Sequence, residues 1–217
     1  RPFASGDLPV VWGVVGVPLL LLAAVLISMP LPWDFMFVLG AYYLLTLSYS
    51  FWLKRIVMLD VTVLALLYTL RILAGSAATG ILPSFWLLAF SMFLFLGLAI
   101  LKRYTEFTAL RERGGQTAPG RGYQADDVGL LGMLGTSSGF LSVLVLALYI
   151  NSDAVRILYT QPEIIWFVCP LLIYWMGRMW FKAHRGLMHH DPVVFAARDP
   201  ISWLVVALGA GIFFLAR

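Results

Sequence analysis

The 217 residues are 61% hydrophobic and only 12% charged, with a formal net charge of +4. A soluble domain carries about 25% charged residues, and the mean hydropathy of +0.90 is too high for a single water-soluble core. The composition therefore excludes an ordinary soluble domain and reads as an integral membrane protein.

A pI near 9.4 raises the question of nucleic acid. The basic residues lie in short connections beside apolar runs, which is the topology pattern of membrane proteins and not a nucleic-acid face. Cys169 is the single cysteine, so an internal disulfide and a cysteine-based metal site are both excluded.

Spanning the hydrocarbon takes about 20 mostly apolar residues as a helix. Seven segments read that way: 9–29, 35–52, 57–79, 84–101, 128–150, 163–182 and 200–216. Pro30 and Pro32 close the first, while Pro83, Pro162 and Pro200 open the fourth, sixth and seventh, where a missing N–H is tolerated. Barrel strands would alternate over about ten residues, so the expected fold class is an all-α membrane bundle of seven transmembrane helices. Lys and Arg concentrate in the connections 53–56, 102–127 and 178–199 and are scarce in 30–34, 80–83 and 151–162. The alternation is regular and assigns the first set to the cytoplasmic side.

The longest connection starts at Lys102. Its first part, to Arg113, is expected to continue as an amphipathic helix with Tyr104, Phe107 and Leu110 on one side, until Gly114-Gly115 and Pro119-Gly120 break it. Asp126 and Asp127 stand where a helix N-terminus is capped. Asp191-Pro192 and Asp199-Pro200 read as turns into helices.

Ionisable residues along apolar helices are costly unless they face a bundle interior, a partner or a water-filled cavity. Asp60 and Arg71, eleven apart, share a helix face, with Tyr68 close to it and Tyr49 and Lys54 approaching from the preceding helix and loop. Two readings compete: polar groups that tie helices together, or a basic cavity for an anionic substrate, because Arg and Lys are the usual phosphate ligands. Lys102, Arg103, Tyr104 and Glu106 form a second cluster. There a surface pair between Lys102 and Glu106 competes with a mouth over the same cavity. His184, His189 and His190 lack metal-ligand spacing, and no P-loop, GxSxG or CxxC motif is present.

Three ordered stretches resemble the UbiA superfamily of membrane transferases, nearest its decaprenyl-phosphate phosphoribosyltransferase-like branch. They are Tyr49-Ser50-x-x-Leu53-Lys54-Arg55 through Leu59-Asp60 to Tyr68-x-Leu70-Arg71-x-Leu73-Ala74-Gly75, Lys102-Arg103-Tyr104-x-Glu106, and Asp191-Pro192-Val193-x-Phe195-Ala196-x-Arg198-Asp199. The loop with Gly120-Arg121-Gly122-Tyr123 is similar to members that also carry a haloacid-dehalogenase-like hydrolase domain. The resemblance implies a nine-helix bundle in the cell (inner) membrane with its active site facing the cytoplasm. It also implies an Asn-Asp-x-x-Asp motif that holds Mg²⁺ and substrate phosphates. That motif has no counterpart in these residues, although Arg1-Pro2-Phe3-Ala4-Ser5-Gly6 resembles the basic stretch that follows it. The chain is thus expected to be the C-terminal seven-helix part of a longer enzyme, inactive alone.

The expected chemistry is prenyl transfer from a polyprenyl diphosphate to an acceptor, or phosphoribosyl transfer to a polyprenyl phosphate, assisted by Mg²⁺. On the resemblance, Asp60, Lys54 and Tyr49 are catalytic candidates, Lys102, Arg103, Tyr68 and Arg71 substrate-binding candidates, and Asp60 and Glu106 metal candidates. The competing class is a non-enzymatic bundle, a transporter or an assembly partner. It predicts broken helices and repeat symmetry, with polar groups near the midplane. No repeat is found, and the polar residues gather toward one side.

Overall fold

The computed structural model describes residues 9–188 and 191–217. The described residues are mostly helical, and the only pairing of extended backbone among them is a single bridge between Thr117 and Gln124. The helices are α1 (Val10–Ser28), α2 (Trp33–Phe51), α3 (Leu59–Thr79), α4 (Phe85–Glu112), α5 (Val128–Ile150), α6 (Asp153–Leu158), α7 (Val168–His184), α8 (Pro192–Arg198) and α9 (Pro200–Ala216). A 3-10 turn, Leu53–Arg55, joins α2 to α3, and another, Pro162–Phe167, leads into α7.

Local chemistry explains most boundaries. Ser84 caps α4 by accepting the Leu87 N–H at 3.1 Å, and Gly80 ends α3 in the left-handed region at φ +72°. The Asp-Pro pairs behave as their chemistry dictates. Asp191 accepts the Val193 N–H at 3.0 Å and Asp199 the Ser202 N–H at 2.9 Å, each with proline at the first helical position. Asp127 closes the turn before α5 by accepting the Gln124 N–H at 2.8 Å. The amphipathic extension after Lys102 is continuous with the fourth apolar segment, so α4 runs 28 residues, with Tyr104 and Phe107 buried.

Five helical stretches are long and apolar enough to cross a membrane: Val11–Ser28, Leu59–Thr79, Phe85–Glu112, Ala125–Ile150 and Pro162–His184. The bent pair α8–α9, turned by 79° at Asp199, raises the number to six if it counts as one span. Two of the seven segments expected from the sequence fall outside these limits. In α2, Asp34, Thr46, two serines and three tyrosines dilute the apolar residues, and α9 taken alone has only 17 residues.

α4 and α5 form the most extensive helix pair, followed by α3 with α4 and α2 with α3. The α4–α5 approach depends on glycine. A Cβ on Gly97 would lie 3.1 Å from the Gly139 nitrogen and 3.2 Å from the Gly135 oxygen, so the two backbones meet where side chains are missing. Ser138 Oγ adds an interhelical bond, donating to the Phe93 carbonyl at 2.8 Å. One core cluster joins α3, α4, α5 and α7 through Val61, Ile100, Phe107, Leu131, Met176 and Met179. A second, toward the other end, includes Val143, Ile150, Ile165 and Cys169, in keeping with the packing role expected of that cysteine. α1 has no extended packing partner among the described residues, and only 6% of its apolar window is buried.

Candidate functional site

Asp60 is the centre of the site. It sits in the first turn of α3, where the helix dipole favours a negative charge, and it is fully buried. Tyr49 Oη, from the last turn of α2, donates to Asp60 Oδ1 at 2.7 Å. Arg103 Nε, from α4, donates to Oδ2 at 2.5 Å, and Arg121 Nη1, from the long connection, donates to Oδ1 at 3.0 Å. Both guanidinium groups also reach Tyr49 Oη, Arg103 Nη2 at 3.1 Å and Arg121 Nη1 at 3.2 Å. Arg103 Nη1 pairs with Glu106 one turn further along α4. A carboxylate, a phenol and two guanidinium groups from α2, α3, α4 and the loop thus close on one point. Charge-assisted bonds of this kind are roughly twice as strong as neutral ones, and a single acidic side chain orients two basic ones.

Arg121 reaches Asp60 because its loop is pinned. Tyr123 is buried, and its Oη accepts the Met58 N–H at 2.9 Å. Burial pushes the Tyr123 phenol above its ordinary range, so it stays neutral. Met58 has φ +63°, and the Leu59 N–H bonds the Val57 carbonyl at 2.8 Å, a strained three-residue turn held in place by that phenol. Gly122 lies so close to this turn that a Cβ would come within 2.4 Å of the Arg55 oxygen.

Above the hub opens a cavity of about 700 Å³ walled by Lys102, Arg103, Arg113 and Arg121, by Glu106, Glu112 and Asp191, and by Thr105 and Thr108. Lys102 does not pair with Glu106 across the turn of α4. It pairs with Asp191 at the start of α8, while Glu106 turns to Arg103. The reason is reach: the α7–α8 connection brings a second carboxylate to Lys102, and the buried Arg103 has the greater need of Glu106. An apolar groove of about 680 Å³ lies between α4, α5 and α7, lined by Val128, Met133, Phe140, Trp180 and Phe181 among others. Thr108 and Glu112 belong to the walls of both spaces. Tyr104 Oη and His184 Nδ1 stand 2.9 Å apart at the groove. His189 and His190 lie outside the described residues, as does Arg1–Gly6.

The structure therefore brings together Tyr49, Asp60, Arg103 and Glu106, with Lys102 on the same cavity. Lys54 occupies the 3-10 turn before α3, half-buried, and forms no ion pair among the described residues. Tyr68 and Arg71 stand apart from the Asp60 cluster. Arg71 Nη2 donates to Tyr42 Oη at 2.8 Å and lies over the Tyr68 ring, 5.0 Å from its centroid. Tyr68 stacks on Phe95 at 4.7 Å.

Arg121, Tyr123 and Asp191 lie in stretches the sequence picked out, but no site role was expected of them. For Arg121, the signal was the arginine between two glycines in a loop too long to be a simple connection. The Mg²⁺ that the resemblance implies finds no ready donor set among the described residues, since Asp60 and Glu106 each face guanidinium groups and no cluster of three metal-ligating side chains is present there.

No family model matches the chain. It is 36% identical over 218 residues to the uncharacterized protein y4nM of Sinorhizobium fredii, a match covering 100% of this chain and 42% of the relative. It is also 36% identical over 161 residues to the nodulation protein NoeC of Azorhizobium caulinodans, covering 72% of this chain and 52% of the relative. The chain thus spans about half, or somewhat less, of the length of these curated relatives.

Proposed function

We propose that the chain is the membrane part of a UbiA-type transferase acting on a polyprenyl phosphate or diphosphate. The observation that carries this reading is the cavity in which Lys102, Arg113 and Arg121 gather over the Asp60 hub, beside an apolar groove that shares two of its walls. A charged head and an apolar tail on one molecule match a polar and an apolar space that adjoin. The finer architecture goes with the same proposal: seven spans of a nine-helix bundle in the cell (inner) membrane, with the basic connections and the cavity at the cytoplasmic face.

In this reading Lys102, Arg113 and Arg121 bind phosphate oxygens. Asp60 acts through the two arginines: it holds Arg121 at the cavity wall and neutralises the buried Arg103. Tyr49 fixes both guanidinium groups with its oxygen, while Glu106 and Asp191 orient Arg103 and Lys102. In the phosphoribosyl version, an oxygen of the lipid phosphate attacks the anomeric carbon of phosphoribosyl diphosphate and the diphosphate departs. In the prenyl version, the allylic carbon–oxygen bond breaks, an acceptor attacks the carbon, and diphosphate again departs. Preorganised cations stabilise the charge that develops on the leaving group in both.

The test uses membranes containing the protein expressed from its complete reading frame. They are supplied with polyprenyl phosphate and radiolabelled phosphoribosyl diphosphate, or with labelled polyprenyl diphosphate and a cell extract as acceptor source. Arg121→Ala is expected to lower lipid-extractable product at least about a hundredfold, and Asp60→Asn to do the same. Arg156→Ala, in the connection between α5 and α7, is expected to leave turnover unchanged. If the wild-type protein forms no labelled product with either donor, the transferase reading is wrong. If it turns over and Arg121→Ala matches it, the site is elsewhere.

A further inference from the structure

Arg71 has no counter-charge among the described residues. It lies twelve residues into α3 and eight from its end, about 18 Å and 12 Å of helix rise, hence near the middle of a hydrocarbon layer about 30 Å thick. Its guanidinium is exposed and held at that depth by the Tyr42 hydroxyl, at 2.8 Å, and by the faces of Tyr68 and Tyr42, at 5.0 and 5.6 Å. No carboxylate among the described residues comes within ion-pair distance of it. Aromatic faces and one phenol oxygen offset only part of what an arginine loses on leaving water, and arginines at such depth pair with acids or line water.

The surroundings point to a missing neighbour. Gly75, one turn beyond Arg71 on the same face, is exposed, and a Cβ there would meet nothing within 4 Å. α1 has no extended packing partner among the described residues. A lipid phosphate lies at the membrane interface, about 12 Å of helix rise beyond Arg71, whereas the guanidinium is bonded to Tyr42 Oη. The curated relatives carry 58% and 48% of their length outside the match, the complements of the 42% and 52% that this chain covers.

We propose that a further membrane helix of the complete polypeptide packs on the Arg71 face of α3, and that a carboxylate on that helix pairs with Arg71 at mid-depth. The Tyr42–Tyr68 cage preorganises the guanidinium for it. The pair is independent of the transfer chemistry, because Arg71 stands about 16 Å of helix rise from Asp60.

The experiment places a benzophenone amino acid at Gly75, with Arg71 intact, in the protein expressed from its complete reading frame. Native membranes are irradiated and the adducts mapped by mass spectrometry. The expected adduct is a peptide of the same polypeptide from outside residues 1–217 that contains Asp or Glu. In an Arg71→Leu background its yield falls at least about fivefold, the coupling of one polar pair across a membrane interface, and Arg71→Lys retains most of it. An adduct with lipid, with another protein, with residues 1–217 or with a peptide lacking an acid overturns the proposal, as does no adduct at all. So does an unchanged yield in Arg71→Leu. If Arg71→Leu fails to accumulate, the identity of the adduct formed with Arg71 intact still decides.

Discussion

The two ends of α3 treat charge in opposite ways, and α2 serves both. Tyr49 and Tyr42 are seven residues apart, two turns on one face. Tyr49 donates its proton to Asp60, whereas Tyr42 accepts one from Arg71. At the first end the charge is buried and answered several times over: Arg103 is 1% exposed and faces both Asp60 and Glu106. At the second end Arg71 is exposed and, among the described residues, answered only by aromatic rings and a phenol. Burial with full compensation produces a rigid hub that can aim other side chains. Exposure with partial compensation leaves a group prepared for something that the described residues do not supply.

The largest expected effect breaks the compensated end. Asp60→Ala strips Arg103 and Arg121 of their shared partner and leaves two guanidinium groups facing the one remaining carboxylate, Glu106. Loss of one member of a buried pair costs about 3–5 kcal/mol, so the variant should show a large drop in detergent-solubilised thermal stability. If its melting temperature stays within a degree or two of the wild type, the hub carries little of the fold. Gly122→Ala tests the loop that delivers Arg121. A Cβ there collides with backbone at 2.4 Å, and forced overpacking costs about 1–3 kcal/mol. The expected result is faster proteolysis within 113–121, with the rest of the bundle intact.

Much of this was legible in the sequence, and the misses have physical reasons. The helices, the extension of α4 and the two Asp-Pro caps follow from hydropathy, periodicity and local hydrogen-bond chemistry, which act within a few residues. Tyr49, Asp60, Arg103 and Glu106 were recognisable as polar groups on apolar helices. Helical spacing also put Arg71 on the face of Asp60, but three turns of rise separated them and assigned each to a different tyrosine. The Lys102–Glu106 pair lost to Lys102–Asp191 and Arg103–Glu106, since intrahelical spacing says nothing about a carboxylate arriving from α8. Arg121 and Tyr123 join the site through a loop fold that rests on Gly122 packing against residues 55–57 and on the strained turn at Met58. No periodicity encodes either.

A third charged corner gives a comparison of intermediate size. Asp199 is buried at the α8–α9 bend and takes bidentate bonds from Arg178, Nη1 to Oδ2 and Nη2 to Oδ1, both 2.7 Å, with Ser202 adding two more. These bonds, Arg178 first, hold its carboxyl at about 2, below the ordinary range of 3.8. A depressed folded-state value means that the stabilisation is fully present above about pH 4 and is lost as pH falls toward 2, amounting to about 2 kcal/mol. Titrating the wild type from pH 6 to 2 should therefore show a fall in melting temperature below pH 4. Arg178→Met should flatten that part of the curve. An unchanged acid limb in Arg178→Met would mean that other carboxylates govern it.

The smallest effect belongs to the uncompensated end. Tyr68→Leu keeps an apolar surface for Phe95 but removes the ring beneath Arg71, and an exposed cation–π contact contributes about 0.5–1 kcal/mol. Melting temperature should move by no more than a few degrees, and transfer activity should not change, because neither residue touches the Asp60 hub or its cavity. The contrast with Asp60→Ala is the point of the measurement. If Tyr68→Leu abolished transfer while leaving stability intact, substrate would have to reach the middle of α3, and the two ends of the helix would be one site instead of two. If stability collapsed instead, Arg71 would depend on its cage as heavily as Arg103 depends on Asp60. A small loss of stability with full activity keeps the ends distinct: one orients cations around a cavity, the other holds a single cation between aromatic rings midway along α3.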